Sequence, residues 1–251
     1  MKDMAKIHPT QHSTQHHGKA ATPRHDYLPA AGRDAFLPFY DRLTALLGAG
    51  ELHRTLLDQA GLADGQRVLE IGCGTGNLAL RAKRSRPGIE LVGSDPDPLA
   101  LARAERKAHG LDGIRFERGY AQRLDHPDAS FDRVLSALMF HHLDEDIQAA
   151  AAAEVRRVLR PGGSLHLVDF SGSAHGLHGR LAGRMMKSGH FAAASGGAGD
   201  SLARVLGAAG LHCTVVASRR HPLLGQVTYY RAVRDDAESM RVADASAPMP
   251  D

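Results

Sequence analysis

The stretch Val68-Leu69-Glu70-Ile71-Gly72-Cys73-Gly74-Thr75-Gly76-Asn77 joins an apolar strand to a glycine turn, with a carboxylate at the joint. Val68, Leu69 and Ile71 form the short apolar run that a strand covered on both faces requires. Three glycines then let the backbone turn tightly beneath a ligand, and Leu78, Ala79 and Leu80 continue as a helix. Strand, glycine turn and helix in this order open a βαβ unit, the element in which parallel α/β sheets bind nucleoside-containing cofactors.

Several cofactor classes share glycine turns, so the discriminating residue is Glu70. A dinucleotide brings a pyrophosphate, which is held by free amides at a helix N-terminus and repelled by a nearby carboxylate. S-adenosylmethionine has no phosphate; its ammonium and sulfonium groups are cationic and complement an acid at the strand end. No Gly-Lys-Ser/Thr follows the turn, which excludes a P-loop. An NAD-dependent oxidoreductase is disfavoured by Glu70 and by the spacing of Gly72, Gly74 and Gly76, which lacks the usual third-glycine position. A tight connection with no ligand is the alternative for a glycine triplet taken alone.

About twenty residues on, Glu90-Leu91-Val92-Gly93-Ser94-Asp95-Pro96 reads as a second strand ending in an acid, the spacing at which a βαβ unit delivers a carboxylate to a ribose. Asp95 is the ribose candidate. Its competing use, capping the helix that starts near Pro98, falls to Asp97 instead.

With these residues the chain resembles the class I S-adenosylmethionine-dependent methyltransferases from about Leu52 to Val233. The glycine loop with Glu70 is similar to the family's first motif, and Asp95 to its ribose acid. Residues 114–122, Ile-Arg-Phe-Glu-Arg-Gly-Tyr-Ala-Gln, resemble the strand and loop that flank adenine. Residues 131–136 resemble the fourth strand, and Leu159-Arg160-Pro161-Gly162-Gly163 the turn before the fifth. Asp128-Ala129-Ser130-Phe131-Asp132 and Phe140-His141-His142-Leu143 are similar to the ubiquinone and menaquinone biosynthesis C-methyltransferases.

The resemblance implies an α/β fold: a Rossmann-like, seven-stranded, mostly parallel sheet with an antiparallel last strand and helices on both faces. It implies S-adenosylmethionine as cofactor, bound by Glu70, Gly72, Gly74, Gly76, Asp95, Pro96, Tyr120, Ala121, Gln122 and Leu138, and no metal. Tyr120 departs from the pattern. The family usually has Asp there, accepting a hydrogen bond from the adenine amino group; a phenol leaves base recognition to the amides of Ala121 and Gln122 or to ring stacking.

Transfer of a sulfonium methyl requires donor, methyl and acceptor in line. A general base is optional. His141 and His142 follow the fourth strand, where the acceptor approaches, and imidazole titrates in the range a base needs; a structural role in fixing the loop is the competing reading. Tyr40 resembles an N-terminal tyrosine that folds over the cofactor in related enzymes, with Tyr27 a weaker claimant.

Composition is that of one soluble domain. The 251 residues are 43% hydrophobic and 24% charged, and 31 Lys+Arg against 28 Asp+Glu leave a net charge of only +3. No basic face with interleaved aromatics is present, and there is no Trp, so nucleic acid is not the expected partner. The Asn/Asp-Pro-Pro-Tyr signature of base methylation is also missing, Ser136-Ala137-Leu138-Met139 standing in its place. Cys73 and Cys213 are too few and too far apart for a disulfide framework. No apolar run approaches the roughly 20 residues of a membrane span, and the N-terminus lacks an apolar signal core. The expectation is a cytoplasmic monomer or homodimer acting on a small-molecule acceptor with an O, C or N nucleophile.

Residues 1–25 read as a disordered tail rich in histidine; His8, His12 and His16 are spaced for one helical face, a metal-capturing arrangement whose bland alternative is a solvated tail. Residues 26–233 form the methyltransferase domain, with N-terminal helices over 36–47 and 51–60. A helix carrying Ile147, Ala150, Ala151, Val155 and Val158 ends at Pro161-Gly162-Gly163, before a strand over 164–170. A helix over 201–209 and strands over 213–217 and 227–233 complete the sheet. Residues 171–200, glycine-rich and holding His175, His178, His190, Met185 and Met186, read as an acceptor lid or a surface excursion. Residues 234–251 are a flexible tail. A non-catalytic cofactor-binding protein of the same fold is the alternative function.

Overall fold

In the computed structural model, which describes residues 48–170, 198–221 and 225–235, the apolar run opens the sheet as β1 (Arg67–Ile71). The chain then alternates through α2 (Asn77–Ser85), β2 (Glu90–Asp95), α3 (Pro98–Ala108), β3 (Ile114–Arg118) and β4 (Phe131–Ala137), with α1 (Ala49–Ala60) preceding β1. A 3-10 turn (Phe140–His142), α4 (Glu145–Val158), β5 (Leu159–Phe170), α5 (Ala198–Ala208), β6 (His212–His221) and β7 (Gly225–Val233) follow.

The strand order is β3-β2-β1-β4-β5-β7-β6. Strands β1 to β5 are parallel, and β7 runs antiparallel between β5 and β6. The order reverses between β1 and β4, so the carboxyl ends of those strands form the crevice in which open α/β sheets bind ligands. Alternation along β1 sends Leu69 and Ile71 into the core beneath α4 and α5, and Val68 into the core against α1 and α2. Glu70 shares the face of Val68, at the end of the strand that meets the glycine loop.

Strands β6 and β7 run longer than the sequence expectation and α5 starts earlier, and two further differences have a tertiary cause. Helix α4 stops at Val158, because Leu159 is already extended (φ −66°, ψ 137°), and β5 begins there rather than at Ser164. The Pro-Gly-Gly segment therefore lies inside the strand, as an irregularity where the register to β4 jumps from Phe131↔Leu159 to Arg133↔Ser164. Gly162 and Gly163 are tied by backbone bonds to Arg234. The second difference is at that residue: the Arg234 guanidinium donates to the carbonyls of Arg156, Arg157 and Leu159, closing the end of α4, so it belongs to the domain and not to a tail.

Asp132 explains the Ser-Phe-Asp stretch physically. Its carboxylate accepts from the Arg67 amide (2.7 Å) and from Arg160 (2.7 Å), joining the starts of β1, β4 and β5. No helix among the described residues is long and apolar enough to cross a membrane. The expected tail over 1–25, the helix over 36–47, Tyr27, Tyr40, the body of the 171–200 segment and the last sixteen residues lie outside the described residues.

Candidate active site

The glycine loop is pinned to β2 by its own backbone. The amides of Gly72 and Cys73 both donate to the Ser94 carbonyl (2.9 and 3.1 Å), and Gly76 N closes the turn on Cys73 O (2.8 Å). Gly72, Gly74 and Gly76 have φ of 69°, 50° and 77°, all in the left-handed region that favours glycine. Two of them are also close-approach positions. A Cβ on Gly72 would stand 2.9 Å from Met139 Cβ, and one on Gly76 would stand 2.8 Å from Ala104 Cβ. The loop is thereby pressed against the segment after β4 on one side and against α3 on the other.

Glu70 lies under this loop, 2% exposed. Among the described residues its Oε2 has no hydrogen-bond partner, although the atom is buried. Burial pushes the carboxyl well above the usual carboxylate range; the Ala79 backbone amide in α2 opposes that shift, Asp95 adds to it and Lys107 opposes it. An orphaned carboxylate oxygen at the root of a glycine loop suits a cation or a donor, since a buried acceptor left unmade is costly. It fits the ammonium and sulfonium of S-adenosylmethionine and does not fit a pyrophosphate.

Asp95, at the end of β2, is also buried, and both its oxygens are engaged: Oδ2 accepts from Gly74 N (2.7 Å) and Oδ1 from Asp97 N (2.9 Å). Burial raises its pKa, with the two amide bonds opposing. Each oxygen keeps a second lone pair for a hydroxyl donor. Asp97 caps α3 through the amides of Leu99 (2.8 Å) and Ala100 (3.2 Å), so the cap falls to Asp97 and not to Asp95, as the sequence implies. Pro96 sits between them, its carbonyl accepting from Arg118 (3.2 Å).

The segment after β3 forms a turn, with Arg123 N donating to Tyr120 O (3.0 Å). Tyr120 is half-buried, and its hydroxyl receives the Arg118 guanidinium (3.3 Å); Ala121 packs on the core and Gln122 is half-buried beside it. Farther along, Arg157 on α4 holds the loop. It pairs with Glu154 through both oxygens (2.7 and 2.9 Å), with Asp128 (2.8 Å), and with the carbonyls of Leu124 and His126 (2.9 and 2.6 Å). Glu154 in turn accepts from Leu124 N (2.7 Å).

Beyond β4 the backbone is forced. Leu138 has φ of 55°, which a branched side chain adopts only at a cost of the order of 1–3 kcal/mol. Its amide is bonded to Val168 O (2.8 Å), next to Asp169 on β5. The distortion turns the chain into the Phe140–His142 turn and places His141 on Asp169: Nδ1 to Oδ1 is 2.6 Å, and His141 N donates to Oδ2 (3.0 Å). Phe170 meets the His141 ring edge-on at 4.7 Å, and the His142 ring lies 3.8 Å away. Desolvation of the His142 ring, and then the His141 charge, draw its pKa below the ordinary histidine range, with Asp169 opposing.

Comparison with known proteins meets the same loop. A model of the methyltransferase domain matches residues 68–163. The chain is 42% identical over 149 residues to a demethylmenaquinone methyltransferase of Deinococcus radiodurans, covering 57% of this chain and 61% of that protein. It is 32% identical over 172 residues to the ubiquinone/menaquinone biosynthesis C-methyltransferase of Hahella chejuensis, covering 64% of this chain and 68% of that one. The chain belongs to the class I S-adenosylmethionine-dependent methyltransferases. Membership of that family makes S-adenosylmethionine its cofactor. A SAM-dependent methyltransferase from Methanosarcina mazei shares the fold, with a TM-score of 0.55 over 70% of this chain and 95% of that chain, at 22% identity. The chain spans about three fifths of the length of the demethylmenaquinone methyltransferases it matches.

Within this methyltransferase fold, the positions expected to bind cofactor, Glu70, Gly72, Gly74, Gly76, Asp95, Pro96, Tyr120, Ala121, Gln122 and Leu138, all stand at or just beyond the carboxyl ends of β1 to β4. Asp169 escaped sequence reading. Val168-Asp169-Phe170 reads as a strand end, and only the β4–β5 register, Ala137↔Val168, shows that the next residue faces the turn after β4.

Proposed function

We propose that the chain transfers the methyl group of S-adenosylmethionine to a small-molecule acceptor, and that the acceptor is a quinol-like aromatic. The observation that carries the reading is Glu70: a buried carboxylate with an orphaned oxygen, at the root of a loop held open by three glycines. When bound, the cofactor supplies a methyl on a positively charged sulfur, to which the bonding electron pair returns on transfer.

In this reading Glu70 answers the cationic end of the cofactor, Asp95 its ribose, and the Tyr120–Gln122 turn its adenine, while Met139 forms the wall against Gly72. His141 and His142 border the acceptor side. The names of the Deinococcus and Hahella relatives support a quinol-type acceptor for this chain. An oxygen, carbon or nitrogen nucleophile is compatible with the same frame, since alignment of the reactants, worth effective molarities of about 10⁵ M and above, does most of the work.

The test is release of S-adenosylhomocysteine from S-adenosylmethionine in a panel of hydroquinones, phenols and amines. Release with hydroquinones is expected. Binding of S-adenosylmethionine with no release across the panel would leave a cofactor-binding protein and overturn the proposal.

A further inference from the structure

We propose that Asp169 is a positioning residue that holds His141 with its proton on Nδ1, leaving Nε2 as the proton acceptor for the methyl-accepting group. The inference rests on the methyltransferase reading above and assigns within it a residue that no motif marks.

Asp169 is 1% exposed and ends β5, while the His141 side chain is 18% exposed. An ionised carboxylate only accepts hydrogen bonds, so the 2.6 Å contact requires the proton to sit on Nδ1 of His141. The other Asp169 contacts fix its orientation: Oδ2 takes the His141 amide (3.0 Å), and Oδ1 also takes the Phe170 amide (2.7 Å). The same carboxylate thus binds both the backbone and the ring of one histidine. Among the described residues nothing bonds to Nε2 of His141. The Phe170 and His142 rings both pack on the His141 ring and limit its rotation. The titratable groups described against His141 are Asp169 on β5 and His142 on its own turn.

The placement is what proton removal during transfer needs. His141 lies two residues beyond Met139, which packs on Gly72 of the cofactor loop. In the step, an electron pair of the acceptor forms a bond to the methyl carbon, and the carbon–sulfur bonding pair stays on sulfur. The acceptor's proton passes to Nε2 of His141, whose imidazolium is stabilised by Asp169 and later loses that proton to water. No other reactant is consumed. A carboxylate that orients a histidine and stabilises its charged form is a recurrent device for general bases.

A purely structural role, Asp169 as an anchor for the turn, makes different predictions. The experiment uses the full chain with S-adenosylhomocysteine bound, comparing wild type, Asp169→Asn and His141→Gln. Nitrogen-15 NMR of histidine-labelled protein reads the His141 tautomer, with the His141→Gln spectrum giving the assignment. In wild type the Nδ1–H tautomer is expected. In Asp169→Asn the amide NH2 donates to Nδ1 and the Nε2–H tautomer appears. The second arm measures kcat against pH for methyl transfer to 1,4-naphthohydroquinone. Asp169→Asn and His141→Gln are each expected to lower kcat by about 10²-fold or more near neutral pH, with S-adenosylhomocysteine affinity within about two-fold of wild type, a change below about 0.4 kcal/mol. The loss should shrink as pH rises and the hydroquinone ionises by itself.

An Nε2–H tautomer in wild type, an unchanged tautomer in Asp169→Asn, or an unaltered kcat–pH profile in that variant would each overturn the proposal. If wild type binds S-adenosylmethionine but leaves the hydroquinone untouched, the acceptor class proposed above fails, and the tautomer measurement alone decides the role of Asp169.

Discussion

Replacing Glu70 by Gln removes a charge without removing the shape, and it should move stability and ligand affinity in opposite directions. Among the described residues Glu70 is buried with Oε2 unpartnered, and burial raises its pKa. The folded state therefore keeps its proton to a higher pH than the unfolded chain does. Stability is full below the ordinary carboxylate pKa, and it falls as pH rises through that range and on toward the raised folded value. Glu70→Gln abolishes that loss. Its Tm without ligand should exceed that of wild type, by an increment that grows with pH, each kcal/mol corresponding to about 2–4 °C in a chain of this size.

Binding should respond the other way. A carboxylate about 5 Å from a unit positive charge at an effective dielectric of about 20 contributes about 3 kcal/mol, roughly a hundred-fold in Kd. Part of that is spent ionising Glu70, whose pKa burial raises, so the penalty in the Gln variant should grow as pH rises and shrink as it falls. The assay is calorimetric titration with S-adenosylmethionine, with adenosine, which carries no cation, as control. The expected pattern is a raised Tm, weakened S-adenosylmethionine and unchanged adenosine. Unaltered affinity for S-adenosylmethionine at pH 8.5, or equal loss of both ligands with a lowered Tm, would refute the assignment of Glu70 to the cofactor's cation.

Gly72→Ala should cost about 1–3 kcal/mol in urea unfolding and weaken S-adenosylmethionine binding, since a Cβ at φ 69° is strained and would press on Met139. Acid should unfold the chain early because of His166, which is 2% exposed between Ser164 and Gln59. Burial, then Arg133 and Arg231, lower its pKa from 6.5 to about 3. The unfolded chain takes up the proton first, so stability is full above pH 6.5 and declines below it, by about 2 kcal/mol at pH 5; denaturant melts from pH 7.5 to 4.5 should show the slope, and His166→Gln should flatten it. Arg157→Lys keeps charge but loses the forked contacts to Glu154, Asp128 and two carbonyls, and should cost about 1–3 kcal/mol. Hydrogen exchange should show faster opening at residues 120–124, and unaltered protection there would contradict the role given to Arg157.

What the sequence disclosed of this site follows from how local each signal is. The β1 strand, its loop and the start of α2 are written in the thirteen consecutive residues 68–80, and the acid of β2 stands where a short βαβ unit must place it. The division between Asp95 and Asp97 was likewise legible, because helix capping depends on the next three residues only. The early start of β5 was not. Pro161-Gly162-Gly163 is a strong local stop, and it is overridden by pairing with β4 and by backbone bonds to Arg234, more than seventy residues away. Asp169 was hidden for the same reason: its partner His141 is 28 positions distant and is brought to it by sheet register and the strained Leu138. Tyr120 falls between these cases. The sequence marked it as a departure, and the structure adds the Arg118 contact to its hydroxyl.

A crystal structure with S-adenosylhomocysteine bound decides the role of Glu70. The methionyl ammonium is expected within about 4 Å of Glu70 or bridged to it by one water, the ribose hydroxyls on Asp95, and the sulfur on the side of the loop that faces His141. A bound ligand whose ammonium lies away from Glu70, with Oε2 still unpartnered, would contradict it.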